Sequence, residues 1–211
     1  MGMKKRARRT APRPYHHGDL RAAVLAAAEA IIERQGIDAL TLRAVAREVG
    51  VSHTAPKNHF GDLEGLLSEL AAVGYHRYGE ALAKAMNAAG TGPRARMKAM
   101  GRAYVGFARQ HPGLFVLMFR SERLDMTRPA LSEAVEAARL ALRTAASSSA
   151  PVKASTPLQA AARATASWAL VHGFAMLLLD GRLKNTLASL PEGADADTLL
   201  EAVLDATRLD G

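Results

Sequence analysis

Cysteine is absent from all 211 residues, which excludes disulfides, thiolate zinc sites and cysteine nucleophiles. Aromatic residues make up only 5% of the chain, and β-branched residues are sparse beside abundant alanine. Strands favour the two scarce classes and alanine is the best helix former, so an all-α fold is expected. No apolar segment follows the basic N-terminus, so a secretory signal is not expected. Arg6 stands where the myristoylation pattern needs Ser or Thr. The longest uncharged, mostly apolar run, residues 164–179, falls short of the roughly 20 residues that span a bilayer. The expectation is a soluble cytoplasmic protein with no membrane partner. A nucleophile elbow, a phosphate-binding glycine loop and a helical His pair at i, i+4 are all missing. No catalytic residue, metal or cofactor is therefore expected. His16 and His17 are adjacent near the N-terminus, and His53 and His59 are spaced poorly for one metal.

The charge that is present is unevenly placed. The chain carries a net +8, and residues 1–60 hold 11 Lys/Arg against 5 Asp/Glu while residues 61–211 hold 17 against 15. A basic N-terminal third on a nearly neutral body points to a polyanion-binding module. Residues 1–17 contain six Lys/Arg, no acidic residue and two prolines, the composition of a disordered basic arm. Such an arm is either a solvated tail or a segment that reaches phosphates or a minor groove.

Helical periodicity organises the remainder. A first helix is predicted from about Gly18 or Asp19 to Gln35, with Asp19 as a cap, Leu20, Val24, Ala27 and Ile31 on one face, and Gly36 as a left-handed stop. A second runs from the Thr41 cap to Val49 with Leu42, Val45, Ala46 and Val49 as its buried face. Ser52 can cap a third that reaches about His59. A longer helix follows from Asp62 towards Ala89, with Leu63, Leu66, Leu67 and Leu70 apolar. Further helices are predicted over 94–110, 113–121, 129–147, 157–180 and 196–208. Gly90-Thr91-Gly92-Pro93, Ser147-Ser148-Ser149-Ala150-Pro151 and Pro191-Glu192-Gly193 mark the breaks.

Two short helices joined by a glycine-containing turn form the helix-turn-helix plan. Gly50 permits the sharp turn, Val51 plugs the space between the helices, and the start of the third helix is left free for a major groove. An ordinary helical corner uses the same residue types. The stretch Leu40-Thr41-Leu42-Arg43-Ala44-Val45-Ala46-Arg47-Glu48-Val49-Gly50-Val51-Ser52, followed by His59-Phe60 and Glu64-Gly65-Leu66-Leu67, resembles the DNA-binding region of the TetR (tetracycline-repressor-like) family. The upstream helix ending in Arg34-Gln35-Gly36 extends that resemblance over roughly residues 20–70.

The resemblance implies a bacterial transcriptional regulator. After the basic arm (1–17), it implies a three-helix helix-turn-helix domain (18–65) and a helical effector-binding and dimerisation domain (66–211). It implies a homodimer that reads a pseudo-palindromic operator in double-stranded DNA and is released, as a repressor, by a small-molecule effector. On the third helix His53, Thr54, Lys57 and Asn58 would face the groove, Asn58 suited to adenine and Lys57 to guanine or phosphate. Arg43 would reach base or phosphate. Thr41 and Ser52 are helix caps first and backbone contacts second, and His59 either nears phosphate or packs. The family usually has Tyr at the place of Lys57 and Lys at the place of Leu63, so Lys57 is kept as a contact and Leu63 is not. Pro56 is tolerable only in the first helical turn.

The segment His111-Pro112-Gly113-Leu114-Phe115-Val116-Leu117-Met118-Phe119, with Trp168, His172 and Gly173, resembles a TetR subgroup with a Trp-His-Gly-type C-terminal domain. Trp168 and His172 share a helix face. They either pack in the core or line an effector pocket with Tyr104, Phe107, Phe115, Met118 and Met176. Ala160, Ala161, Ala164 and Gly173, with Leu199, Leu200, Val203 and Leu204, could build an intersubunit four-helix bundle or belong to the core. The rival reading is a helical protein- or RNA-interaction module whose basic arm meets acidic partners without reading a sequence.

Overall fold

A computed structural model describes residues 17–149 and 156–206. Ten α-helices and no strand occur among these residues: α1 (His17–Gln35), α2 (Leu42–Val49), α3 (Ala55–Phe60), α4 (Leu63–Ala88), α5 (Pro93–Gln110), α6 (Pro112–Met118), α7 (Pro129–Ser149), α8 (Pro157–Leu179), α9 (Lys184–Ala188) and α10 (Ala196–Ala206). Two single 3-10 turns, Ile37–Ala39 and Ser121–Arg123, interrupt the loops. The expected basic arm lies outside the described residues except for His17, which opens α1.

Local chemistry accounts for most boundaries. Four helices open on proline, at Pro93, Pro112, Pro129 and Pro157, because the first helical position needs no N–H donor and suits the fixed φ of proline. The Thr41 hydroxyl accepts the Ala44 N–H at 3.0 Å, and the Asp62 carboxylate accepts that of Gly65 at 2.7 Å. Gly50 ends α2 in the left-handed conformation, at φ 75° and ψ 31°.

Several expectations are corrected. Asp19 lies inside α1 rather than capping it, because the helix already includes His17. Gly36 has positive φ, but its ψ of 169° makes it an extended corner leading into the first 3-10 turn, not a left-handed cap. Residues Ser147–Ser149 complete α7 instead of belonging to a linker, and α6 stops at Met118 instead of reaching 121. The short α9 is an addition to the expected elements. The apolar stretch of α8 is also longer than the uncharged run suggests: the helix has 23 residues and is long and apolar enough to cross a bilayer. It extends that run backwards across Arg163.

Two apolar clusters hold the helices together. One joins Val24, Ile31 and Ile32 of α1, Val45 of α2, Phe60 of α3 and Leu66 and Leu70 of α4 to Leu114, Leu117 and Leu131 of α6 and α7. The other gathers Tyr78 and Leu82 of α4, Tyr104 and Phe107 of α5, Phe115 and Met118 of α6, Phe174 of α8 and Leu200 and Leu204 of α10. Helix α4 therefore passes through both. The N-terminal helices share their core with α6 and α7, so the two halves of the molecule are in direct packing contact.

Candidate nucleic-acid interface and aromatic core

Helix α2 turns its apolar side inward, with Val45 fully buried and Ala46 nearly so. Arg43 and Arg47 are left exposed one turn apart. After Gly50 the chain bends sharply, and the Val51 N–H returns to the Ala46 carbonyl at 3.0 Å, which the Gly50 N–H also reaches, a closure typical of a glycine-terminated helix.

The third helix starts later than expected. Its N-cap position is Thr54, not Ser52, and His53 and Thr54 lie in the preceding turn. Proline explains the delay. A helix capped by Ser52 would require residue 56 to donate its N–H to the Ser52 carbonyl, and Pro56 has none. The Ala55 N–H bonds that carbonyl instead, at 3.0 Å, so Pro56 falls within the first turn. The Ser52 and Thr54 hydroxyls lie 3.1 Å apart.

This short helix is firmly anchored on one side and open on the other. Pro56 and Phe60 are buried, while Lys57 and Asn58 are exposed, and His53 and Thr54 are exposed just before them. His59 is half-buried, its ring tilted on that of Phe60 at 6.3 Å between centroids. Phe60 is only 2% exposed, and the Arg21 guanidinium of α1 lies 5.6 Å from its ring centroid. Arg21 also pairs with Glu69 of α4 at 2.6 Å. The exposed side of α2 and α3 therefore offers cations, an amide and hydroxyls, with no acidic residue between 49 and 61.

The second assembly lies in the aromatic core. Tyr104, Phe115, Trp168 and His172 come together, with Phe115 at 5.4 Å from Tyr104 and Trp168 at 5.6 Å from His172 between ring centroids. Met118 is buried beside them, packed where Gly74 leaves room, and Met176 is half-buried at the edge. Phe107 lies on the far side of Tyr78, at 5.6 Å. Trp168 is 50% exposed and so forms the rim of this cluster.

A polar relay threads through the rings. The Trp168 Nε1–H donates to Tyr104 Oη at 3.3 Å, and Tyr104 Oη lies 2.8 Å from His172 Nδ1. Indole can only donate, so the arrangement that satisfies all three gives the tyrosine proton to Nδ1 and leaves the histidine proton on Nε2. Burial pushes the Tyr104 phenol well above its ordinary value and draws His172 below its own. Both groups are thus neutral at pH 7.

Residues 24–70 match the family model described as bacterial regulatory proteins, tetR family, and residues 97–207 match that of the tetracyclin repressor-like C-terminal domain. The chain belongs to the TetR family. Its fold is shared by a protein of unknown function from Rhodococcus sp. RHA1, at 37% identity and a TM-score of 0.74, covering 92% of this chain and 96% of that one. The TetR-family transcriptional regulator PfmR from Thermus thermophilus is similar at 17% identity and a TM-score of 0.60, covering 86% of this chain and 94% of the other. RolR, solved in complex with resorcinol, matches at 15% identity and a TM-score of 0.55, covering 91% and 89%. No curated protein sequence matches the chain significantly. The protein is a DNA-binding transcriptional regulator.

Three residues of interest are not marked by the sequence pattern. Arg47 repeats Arg43 one turn later, and its guanidinium makes no ion pair among the described residues. The i, i+4 spacing was the available signal. Phe119 was also missed. Its ring is 4.7 Å from that of His172 and 6.3 Å from that of Trp168, and its sequence position at the end of an apolar run gave no sign of this. Tyr78 of α4, 5.6 Å from Tyr104, is a third. Among the described residues no cluster of three His, Asp or Glu side chains is placed to hold a metal ion.

Proposed function

We propose that this regulator is a homodimeric repressor that reads a pseudo-palindromic operator through α3 and is released by a small molecule bound in the aromatic core. The observation that carries the reading is the division of α3. Pro56 and Phe60 are locked into the core while Lys57 and Asn58 project outward. Asn58 suits the paired donor and acceptor of adenine, and Lys57 a guanine edge or a phosphate. Arg43, His53, Thr54 and His59 flank them as backbone or base contacts. Thr41 serves first as a cap, and Ser52 serves the turn before α3. We keep the functional boundary near residue 65, where α4 leaves the head, and place the protein in the cytoplasm with its DNA.

The dimer reading is supported by α8. Leu158 is 78% exposed and Leu177 is 42% exposed, and Ala160, Ala161 and Ala164 form an open small-residue surface. That apolar length is better covered by a second copy than by water. Leu200 and Leu204 of α10 point into their own subunit, which leaves α8 as the main contributor. For the effector, the neutral relay and surrounding rings suit an uncharged aromatic compound with an oxygen acceptor for the His172 Nε2–H.

The decisive experiment selects duplexes from a randomised library with the purified protein and compares the product with a scrambled duplex. Preferential binding that survives excess non-specific DNA and weakens steeply with salt is expected. Equal affinity for both duplexes would overturn the reading.

A further inference from the structure

Helix α3 is too short to hold itself. Six residues cannot offset the cost of nucleating a helix, and its N-cap residue Thr54 makes no side-chain capping bond. Its pose must come from outside. Part of that hold is the buried Phe60 ring. The other part reaches it from a different region of the chain.

Arg128, in the loop immediately before α7, donates from Nη2 to the carbonyl oxygen of Phe60 at 3.0 Å. That carbonyl closes the C-terminal end of α3, where a cation complements the helix dipole. The contact depends on a missing side chain. A Cβ at Gly65 would lie 2.1 Å from the Phe60 oxygen and 2.3 Å from Arg128 Nη2. The guanidinium therefore occupies a slot that only glycine leaves open.

The orientation of Arg128 favours α3 over its neighbouring carboxylate. Its Nε is buried with no hydrogen-bond partner and stands 3.7 Å from Asp125 Oδ2. Asp125 itself is engaged by the N–H and hydroxyl of Thr127. The loop is pinned at its other end, since the Asp125 N–H donates to Ser68 Oγ at 2.9 Å and that hydroxyl donates to the Glu64 carbonyl at 2.7 Å. Ser68 is fully buried. The loop thus rides on the first turns of α4 and extends one rigid fork to α3.

We propose that Arg128 is a positioning residue for the DNA-reading helix, setting the pose of α3 and tying it to the start of α7. The proposal rests on α3 being the helix that reads bases. Asn58 lies two residues before the clasped carbonyl, so a shift of that carbonyl turns the amide relative to a base edge. Phosphate contacts made by long flexible cations tolerate the same shift. Arg128 therefore acts on sequence preference rather than on general DNA affinity.

The test uses a duplex selected by the parent protein from a random library, beside a scrambled duplex of the same composition. Arg128→Met is expected to weaken the selected duplex about tenfold, the effect of losing one charge-assisted hydrogen bond, with scrambled-duplex affinity within about twofold. Exchange of the Gly61 amide, which bonds the Lys57 carbonyl, should accelerate. Arg128→Lys keeps the charge without the fork and should recover only part of the preference; it decides the matter if the methionine variant does not fold. Unchanged selected-duplex affinity in Arg128→Lys and Arg128→Met, or equal loss on both duplexes, overturns the clasp. Asn58→Ala serves as the reference. If it relaxes preference while the Arg128 variants do not, the clasp alone fails; if it too changes nothing, α3 is not the reading helix and both proposals fall.

Discussion

The carboxylate of Glu33, in α1, accepts the backbone N–H of Gly113 at 2.9 Å with one oxygen and that of Leu114 at 3.1 Å with the other. An acidic side chain from the DNA-binding head thereby caps the first turn of α6, 80 residues away, as an N-terminal carboxylate should. Gly113 makes this approach possible, since a Cβ there would lie 2.9 Å from the backbone carbon and oxygen of Ile32.

Removing that cap should loosen the joint between the two halves. Glu33→Ala leaves two helix N–H groups without their acceptor, at a cost of about 1–3 kcal/mol, and Gly113→Ala should cost at least as much through its clash with rigid backbone. Urea denaturation measures both. A midpoint for Glu33→Ala equal to that of the parent would show that the cap contributes nothing.

Under the proposed reading, the exposed side of α3 makes two kinds of contact that mutation can separate. Asn58→Ala should relax base preference at one position of a selected duplex. Lys57→Ala should weaken all sequences alike and reduce the slope of affinity against salt by about one unit. Anisotropy titrations at several salt concentrations distinguish the two, and exchanged phenotypes would mean that the helix lies in the groove with a different roll.

His172 gives the fold a dependence on mild acid. Burial lowers its pKa from the ordinary value of 6.5, so the unfolded chain binds a proton that the folded chain resists. The stability it confers is complete above the unfolded value and declines as pH falls from there towards the folded value. Urea midpoints measured between about pH 8 and 5 should fall more steeply for the parent than for His172→Gln, which has no imidazole to titrate. Parallel curves would remove His172 as the cause.

A second acid transition should appear lower on the scale. Arg94 and Lys98 of α5 pair with Asp205 of α10, Lys98 and Arg102 pair with Glu201, and Arg109 pairs with Asp197. Lys98 holds Asp205, and Arg102 holds Glu201, below the usual carboxylate range. Their contribution is present above the ordinary carboxylate values of about 4 and is lost as pH falls through the lowered ones. The protection of α10 amides relative to their intrinsic exchange should then fall in acid while that of α4 amides persists. Protection of α10 that is unchanged down to about pH 3 would show that α10 is held by its apolar side alone.

Placing a charge on α8 tests the proposed dimer. Ala164 is exposed on that helix, and Ala164→Arg should shift sedimentation towards a single chain while leaving the helical spectrum unchanged. Unaltered association would move the interface elsewhere.

What could be read in advance was local. Thr41, Gly50 and Asp62 act within four residues of themselves, and their caps and turn follow from side-chain reach and allowed φ. Ser52 does not cap the third helix because Pro56 overrides a good capping residue by withholding one N–H. The aromatic residues at helical spacing were recognisable as a group, but whether they pack or receive a ligand depends on neighbours such as Phe119 and Tyr78 from other helices. Glu33 with Gly113, and Arg128 with Phe60, were illegible. Each joins segments more than 60 residues apart, and nothing in the flanking pattern marks either partner.

The unpacked apolar length of α8 has a quantitative consequence under the proposed pairing. If two copies join there and each head reads one half-site, operator occupancy below the dissociation point of the pair would rise with the square of the protein's concentration. Modest changes in the number of copies per cell would then act as a threshold on transcription.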